Sequence, residues 1–180
     1  MLNQDHRYAH VVRVAWCAEN LAHFHQVSTA KARVAGMLHD LARLYSDARL
    51  IDECRARGIA IGEFERRHPI VLHAPLSAAL AREHFDVEDP DVLSAIAKHT
   101  VGGASMSPLD CVLYLADGLE PGRDFPERSA LWNLATRDLE AAMRGTIGQS
   151  LRYLERKGFE PAPATIAAAA AFGGAQGVAQ

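Results

Sequence analysis

The sequence predicts an all-α protein, a single compact helical bundle. Three observations predict it. Apolar residues recur at intervals of three and four along most of the chain. These runs start at capping residues or prolines, and two of them stop at Gly58 and Gly158. No polar–apolar alternation is long enough to make a convincing strand.

The first helix is predicted from a cap at Asn3 or Asp5 to about His25. Val11, Val14, Ala15, Ala18, Leu21 and Ala22 form its apolar stripe, and His10 lies at the edge of that stripe, one turn before Val14. His23 and His25 read as solvent-side residues near the helix end, where the dipole favours a cation. Ser28 caps a second helix, with Val27 and Ala32 as a weak staple. Ala32, Ala35, Leu38 and Ala42 line that helix, which carries His39 and Asp40 in its last turns. Ser46 caps a third helix over about 47–57, with Leu50, Ile51 and Cys54 inside and Gly58 as its stop. The stretch 59–68 reads as a connection, because the alternation in Gly58-Ile59-Ala60-Ile61-Gly62 is short.

A helical turn starts at Pro69 and is expected to break at Ala74, since Pro75 disfavours a helical residue before it; His73 then falls at a helix junction. A helix over about 75–84 places Leu76, Ala79 and Leu80 inside. Asp89-Pro90 supplies the cap and first residue of the next, which carries Val92, Leu93 and Ile96 and ends at His99. The stretch 100–106 is a loop by composition. Ser107-Pro108 opens a helix whose face of Leu109, Val112, Leu113 and Ala116 runs on to Asp117, and 120–126 is again a loop. A long helix over about 137–157 is lined by Leu139, Met143, Ile147, Leu151 and Leu154 and stopped by Gly158. A short Ala-rich helix is expected over about 165–172. The domain is expected to span 1–166, followed by a frayed Ala/Gly-rich tail over 167–180.

Composition bounds the function. A chain of 180 residues, 49% hydrophobic and 23% charged, can bury one real core. A net charge of −3 and a pI near 6.3 give no basic footprint, so a nucleic-acid partner is not expected. A small anionic substrate remains compatible, because a metal site brings its own positive charge. The polar N-terminus has no signal-peptide core, and no apolar run approaches the ~20 residues of a membrane span. Cys17, Cys54 and Cys111 are far apart and form no C-x-x-C pair, which fits a reducing cytoplasm and argues against a thiolate metal site.

Nine histidines is the unusual count for this length. His39 and Asp40 are adjacent; on a helix they point about 100° apart, and one ion between them can be reached by both. Imidazole and carboxylate together suit Fe, Mn or Zn. An isolated His-Asp pair is more often a cap or a surface arrangement, so the case depends on convergence. His10, His39, Asp40, His73, His99 and Asp117 each fall on or beside an apolar face or at a helix end, and they come from five helical segments. Facing helices of a bundle bring such ligands together in its core. Six ligands are too many for one tetrahedral ion and suit two ions sharing a carboxylate, for which Asp40 is the natural bridge. The alternative, core histidines bonded to backbone, needs a separate explanation for each.

The order His…His-Asp…His…His…Asp resembles the HD-domain metal-dependent phosphohydrolases. The local words are more specific: Arg7-Tyr8-Ala9-His10, Leu38-His39-Asp40-Leu41-Ala42-Arg43, Leu72-His73-Ala74-Pro75, His99-Thr100-Val101-Gly102, Met106-Ser107-Pro108-Leu109, and the block from Tyr114-Leu115-Ala116-Asp117 to Arg123. Together they are similar to the YqeK-type HD-domain family, the bacterial symmetrical diadenosine tetraphosphate hydrolases, over about residues 6–166. The resemblance implies an all-α fold, an iron-containing dinuclear centre (Mn, Zn or another divalent metal being alternatives) and cleavage of diadenosine tetraphosphate to two ADP. It implies that His10, His39, Asp40 and Asp117 hold one metal, and that His73 and His99, with Asp40 bridging, complete a second. Asp40, Arg43 and Arg123 are expected in catalysis. Arg7, His10, Arg43, His73, His99, Thr100 and Arg123 are expected at the substrate, with 158–165 near the nucleoside.

Paired metals would make hydroxide available near neutral pH for in-line attack on phosphorus, with Arg43 or Arg123 stabilising charge on the phosphoryl oxygens. Arg43 stands where many members have Lys, which exchanges a point charge for a planar fork. Gly103 and Cys111 stand where basic residues are expected in close relatives. This keeps open an HD-domain phosphohydrolase acting on a nucleoside monophosphate, a cyclic nucleotide or an alarmone. A non-catalytic nucleotide-sensing module would predict broken ligand positions, and all six are intact. A helical structural protein without a site would predict no metal. A homodimer is left open.

Overall fold

The computed structural model describes residues 2–173. Among them there are ten α-helices and no strand. These are α1 (Leu2–Phe24), α2 (Thr29–Leu38), α3 (Asp47–Ala56), α4 (Glu63–Arg67), α5 (His73–Phe85), α6 (Pro90–Lys98), α7 (Pro108–Leu119), α8 (Arg128–Ala135), α9 (Leu139–Lys157) and α10 (Pro163–Ala171); a 3-10 turn, Pro69–Leu72, leads into α5. No described helix is long and apolar enough to cross a membrane.

Helix α7 is buried almost all round, from Leu109 through Ala116, which marks it as the central element. Helices α1, α2, α6, α8 and α9 pack around it. Val14, Leu21, Ile96, Leu113, Leu115, Met143 and Ile147 belong to this main core. A smaller cluster of Leu50, Cys54, Leu72, Leu76 and Leu80 joins α3 and the 3-10 turn to α5. All three cysteines are free and buried.

The capping residues read from the sequence do their expected work. Ser28 accepts from the Lys31 amide, Ser46 from Arg49, and Asp89 from Asp91 and Val92. Ser107 and Asp110 form a reciprocal capping box at α7. Gly58 follows α3 and Gly158 ends α9, both at φ +67°, a conformation that costs glycine little.

Several expectations are corrected. Helix α1 begins upstream of the caps proposed at Asn3 and Asp5; Asp5 lies inside its first turn, where its charge complements the dipole. His25 is not on the solvent side: it is half-buried, with Nε2 2.5 Å from the Ala135 carbonyl oxygen. There is no break at Ala74. Pro75 is the third residue of α5, in the first turn, where a missing N–H leaves no intrahelical bond unmade. The segment 59–68 contains α4, whose five residues are too few to show a helical period. Helix α8 follows the loop at 120–126, and of its residues only Ala135 is fully buried. Asp138 caps α9, which starts at Leu139 rather than near Arg137. Within 167–180, residues to Ala171 belong to α10 with Ala168 and Ala169 buried, and 174–180 lie outside the described residues.

Helix α2 also ends earlier than its apolar pattern suggests, at Leu38. The Ala42 amide leaves the helical ladder and donates to Ser77 Oγ of α5, at 3.1 Å. His39 and Asp40 therefore sit in a turn held against α5.

Candidate metal centre

Three of the four core histidines are placed by one local device. His39, His73 and His99 each occupy the residue just after a helical segment: α2, the 3-10 turn and α6. Each has helical backbone angles, and each lies three residues after a carbonyl of that last turn. Nδ1 of His39 donates to Gly36 O at 2.7 Å, Nδ1 of His73 to Ile70 O at 2.5 Å, and Nδ1 of His99 to Ile96 O at 2.7 Å. Helix ends leave carbonyls unsatisfied. The rings use that surplus, and the bond puts the proton on Nδ1 and leaves the Nε2 lone pair free. His10 lies within α1 and has no such carbonyl. Its Nδ1 faces Glu120 Oε1 at 3.1 Å.

All four Nε2 atoms converge on Asp40. Its Oδ2 lies 3.7 Å from His10 Nε2 and 3.5 Å from His39 Nε2. Its Oδ1 lies 3.2 Å from His73 Nε2 and 3.7 Å from His99 Nε2. Asp117 Oδ1 adds a further oxygen 3.1 Å from His10 Nε2. Ligand atoms of His10, His39 and Asp117 lie within 4.8 Å of one another, and so do those of His39, Asp40 and His99. His39 is therefore in reach of both groups.

The electrostatics suit a cation. Burial, with the neighbouring His99 adding to it, pushes the His39 imidazole down to about 4, so it is neutral at physiological pH. Burial alone would raise the Asp40 carboxyl; the adjacent His73 and His99 imidazoles outweigh it and hold the group well below the usual carboxylate range. Burial is likewise outweighed at Asp117, by the adjacent His10 imidazole and the Arg123 guanidinium. Both carboxylates stay ionised, and the Nδ1 contacts turn every Nε2 toward them. The donor set fits a divalent transition metal. The Nε2 atoms of His10 and His39 are buried without a hydrogen-bond partner, a cost that a bound ion would remove.

The cations expected at the substrate stand around this centre. Arg7 Nη1 donates to Asp40 Oδ2 at 2.7 Å. Arg123 donates to Asp117 twice, Nη2 to Oδ1 at 2.5 Å and Nε to the backbone oxygen at 2.9 Å. Arg43 lines the same 240 Å³ cavity as Arg7 and Arg123, with Asp40, His73, His99, Thr100 and Asp117. Thr100 Oγ1 lies 3.1 Å from His73 Nε2 and 3.0 Å from His99 Nε2. The structure thus brings together every residue singled out from the sequence for metal or substrate.

A larger cavity of about 490 Å³ shares Ile70 and Thr100 as walls with the first. Phe64, Tyr114, Tyr153 and Phe159 give it an aromatic lining, and Phe159, Glu160, Ala162 and Thr165 bring the 158–165 stretch to it. Gly103 and Cys111 line neither cavity, and Cys111 is buried on α7.

Two sets of residues escaped the sequence reading. Glu120 is buried at 2% exposure and touches His10; its signal was its place three residues after Asp117, which puts it near the same helical face. Burial alone would raise its carboxyl, but Arg13, the Gly122 amide and His10 hold it down at about 2. Phe64 and His68, beside the larger cavity, gave no signal because α4 is too short to show a pattern.

The HD domain family matches residues 7–122. The symmetrical bis(5'-nucleosyl)-tetraphosphatase of Halalkalibacterium halodurans is 32% identical over 168 residues, covering 91% of this chain and 87% of the relative. The protein of the same name from Bacillus subtilis is 33% identical over 153 residues, covering 85% and 82%. The crystal structure of a predicted HD superfamily hydrolase from Clostridium acetobutylicum, described as involved in NAD metabolism, superposes with a TM-score of 0.89 at 33% identity, covering 92% of this chain and 88% of that one.

Proposed function

Because this chain belongs to the HD-domain family, in its YqeK-type branch of symmetrical bis(5'-nucleosyl)-tetraphosphatases, we propose that it is a metal-dependent phosphohydrolase that cleaves diadenosine tetraphosphate in the middle of its phosphate chain, giving two ADP. The observation that carries this reading is the division of one carboxylate. Asp40 turns Oδ2 to His10 and His39 and Oδ1 to His73 and His99, the arrangement two ions need in order to share a ligand. His10, His39, Asp40 and Asp117 would hold one ion, and His73, His99 and Asp40 the other. Iron is the metal we propose; manganese and zinc suit the same nitrogen and carboxylate donors. Bound there, such ions supply water activation near neutral pH and neutralise charge on phosphoryl oxygens.

The chain's own residues do the rest. Hydrogen bonds on each Nδ1 orient the imidazoles and keep them in one tautomer. Arg43, whose side chain has no hydrogen bond or ion pair among the described residues, is placed to grip phosphate as a planar fork. Arg7 and Arg123 flank the same cavity on the Asp40 and Asp117 sides. One adenosine enters the aromatic cavity, where Phe64, Tyr153 and Phe159 offer apolar surface to the base. The two cavities are neighbours at Ile70 and Thr100, and a phosphate tail would pass these residues on its way from the adenosine to the centre. The buried free thiols fit a reducing cytoplasm.

Chromatography of early time points tests the reading. ADP alone, at two per substrate, is expected; AMP plus ATP would mean an asymmetric cut. A nucleoside monophosphate, a cyclic nucleotide and an alarmone, compared by kcat/KM, should be poorer substrates.

A further inference from the structure

Three of the four core imidazoles rest their Nδ1–H on a neutral backbone carbonyl, and His10 alone rests it on a carboxylate, Glu120 Oε1 at 3.1 Å. That carboxylate is fixed from the other side. Arg13 Nε donates to Oε2 at 2.5 Å, Arg13 Nη2 to Oε1 at 3.2 Å, and the Gly122 amide to Oε2 at 2.6 Å. A Cβ on Gly122 would lie 2.5 Å from Arg13 Nη2 and 2.9 Å from Glu120 Oε1, so the clamp also depends on that residue having no side chain.

An anionic acceptor on Nδ1–H draws electron density onto the ring and makes Nε2 a better metal donor than a carbonyl acceptor does. The Nε2 of His10 is buried and unpartnered, and it faces Asp117 and Asp40. The His73–His99 side differs twice. Both imidazoles there have only carbonyls behind them, and the Thr100 hydroxyl already lies 3.1 and 3.0 Å from their Nε2 atoms, so a cation must compete with it.

We propose that Glu120 is a positioning residue, and that through His10 it makes the metal position of His10 and Asp117 bind its ion more tightly than the position of His73 and His99. The inference rests on the dinuclear reading above and adds to it an order of filling.

The test is titration of the metal-depleted full chain with Co²⁺, followed by its visible d–d absorbance and by competition with a chromophoric chelator. The wild-type protein should bind in two steps. Glu120→Gln keeps the shape and removes the charge; it should weaken the tighter step by about 10–100-fold and alter its spectrum, while the weaker step stays within about threefold. Arg13→Gln leaves the Glu120–His10 bond in place and should weaken the tighter step less than Glu120→Gln does. His10→Ala should abolish the tighter step and His99→Ala the weaker one, which decides the order even if Glu120→Gln does not fold. An unchanged tighter step in Glu120→Gln, equal weakening of both steps, or a tighter step that disappears with His99 overturns the proposal. Fewer than two Co²⁺ per wild-type chain would defeat the dinuclear reading itself.

Discussion

A Cβ placed on Gly36 would lie 2.5 Å from the Cα of Ala15, so α1 and α2 meet backbone to backbone at this point. The same glycine offers its carbonyl to His39 Nδ1 at 2.7 Å. Helix packing and ligand orientation are therefore set at one residue. Gly36→Ala should gain about 0.5–1 kcal/mol of helix propensity and lose about 1–3 kcal/mol to overpacking against a backbone that cannot yield. We expect a net loss of stability in urea melts, together with reduced metal content. A variant as stable and as fully loaded as wild type would mean that the helices can part without moving His39.

On the proposed two-ion centre, Asp40→Ala should remove most of the bound metal, because both ions would lose a ligand, whereas Asp117→Ala should spare the ion proposed on the His73–His99 side. Elemental analysis of protein purified without chelator distinguishes them. Full occupancy in Asp40→Ala would rule out a shared carboxylate.

Arg43 and Arg123 should fail differently. Arg43 is free to bind phosphate, so Arg43→Ala should lower kcat/KM by tenfold or more, about 1.4 kcal/mol of transition-state stabilisation, with metal content unchanged. Arg123→Lys keeps its charge and loses the two-pronged geometry it shows toward Asp117. Turnover should again fall on the order of tenfold. An Arg123→Lys enzyme as fast as wild type would remove that residue from the site.

Cys17 and Cys111 set an alkaline limit. Burial, reinforced by Glu120 at Cys17 and by Asp110 at Cys111, pushes both thiols up to about 12. In the unfolded chain they ionise near ~8.5. Between those values the folded protein holds protons that the unfolded chain has released, so stability falls as pH rises through this window. Chemical melts from pH 8 to 11 should show the decline, and Cys17→Ala/Cys111→Ala should flatten it. At pH 8 a thiol reagent should label the protein only after denaturant is added; rapid labelling of the native chain would contradict the burial.

Much of the fold was legible because its signals are local. Ser28, Ser46, Asp89 and Ser107 cap helices through bonds two or three residues away, and the apolar stripes of α1, α7 and α9 repeat within a turn. What was misread had no local signature. The proline rule placed a break at Ala74, but Pro75 falls within a first turn and breaks nothing. Helix α4 is shorter than two turns. His25 looked solvent-facing until α8, 110 residues later, brought the Ala135 carbonyl against it.

The helical class, the caps and the candidate ligand motifs can be read from short stretches of chain, since each is written within a few residues: a periodicity, a capping side chain, or a histidine three residues after a carbonyl at a helix end. Only the packed fold shows how closely the four imidazoles approach Asp40, that His10 is backed by Glu120, and that an aromatic cavity opens beside the candidate metal ligands. The physical reason is distance along the chain. Asp40 meets His10, His73 and His99 from three other segments, and Glu120 meets His10 across 110 residues. Such contacts exist only once α7 is buried among its neighbours and the packing of small residues, Ala15 against Gly36 foremost, has set how closely the helices approach.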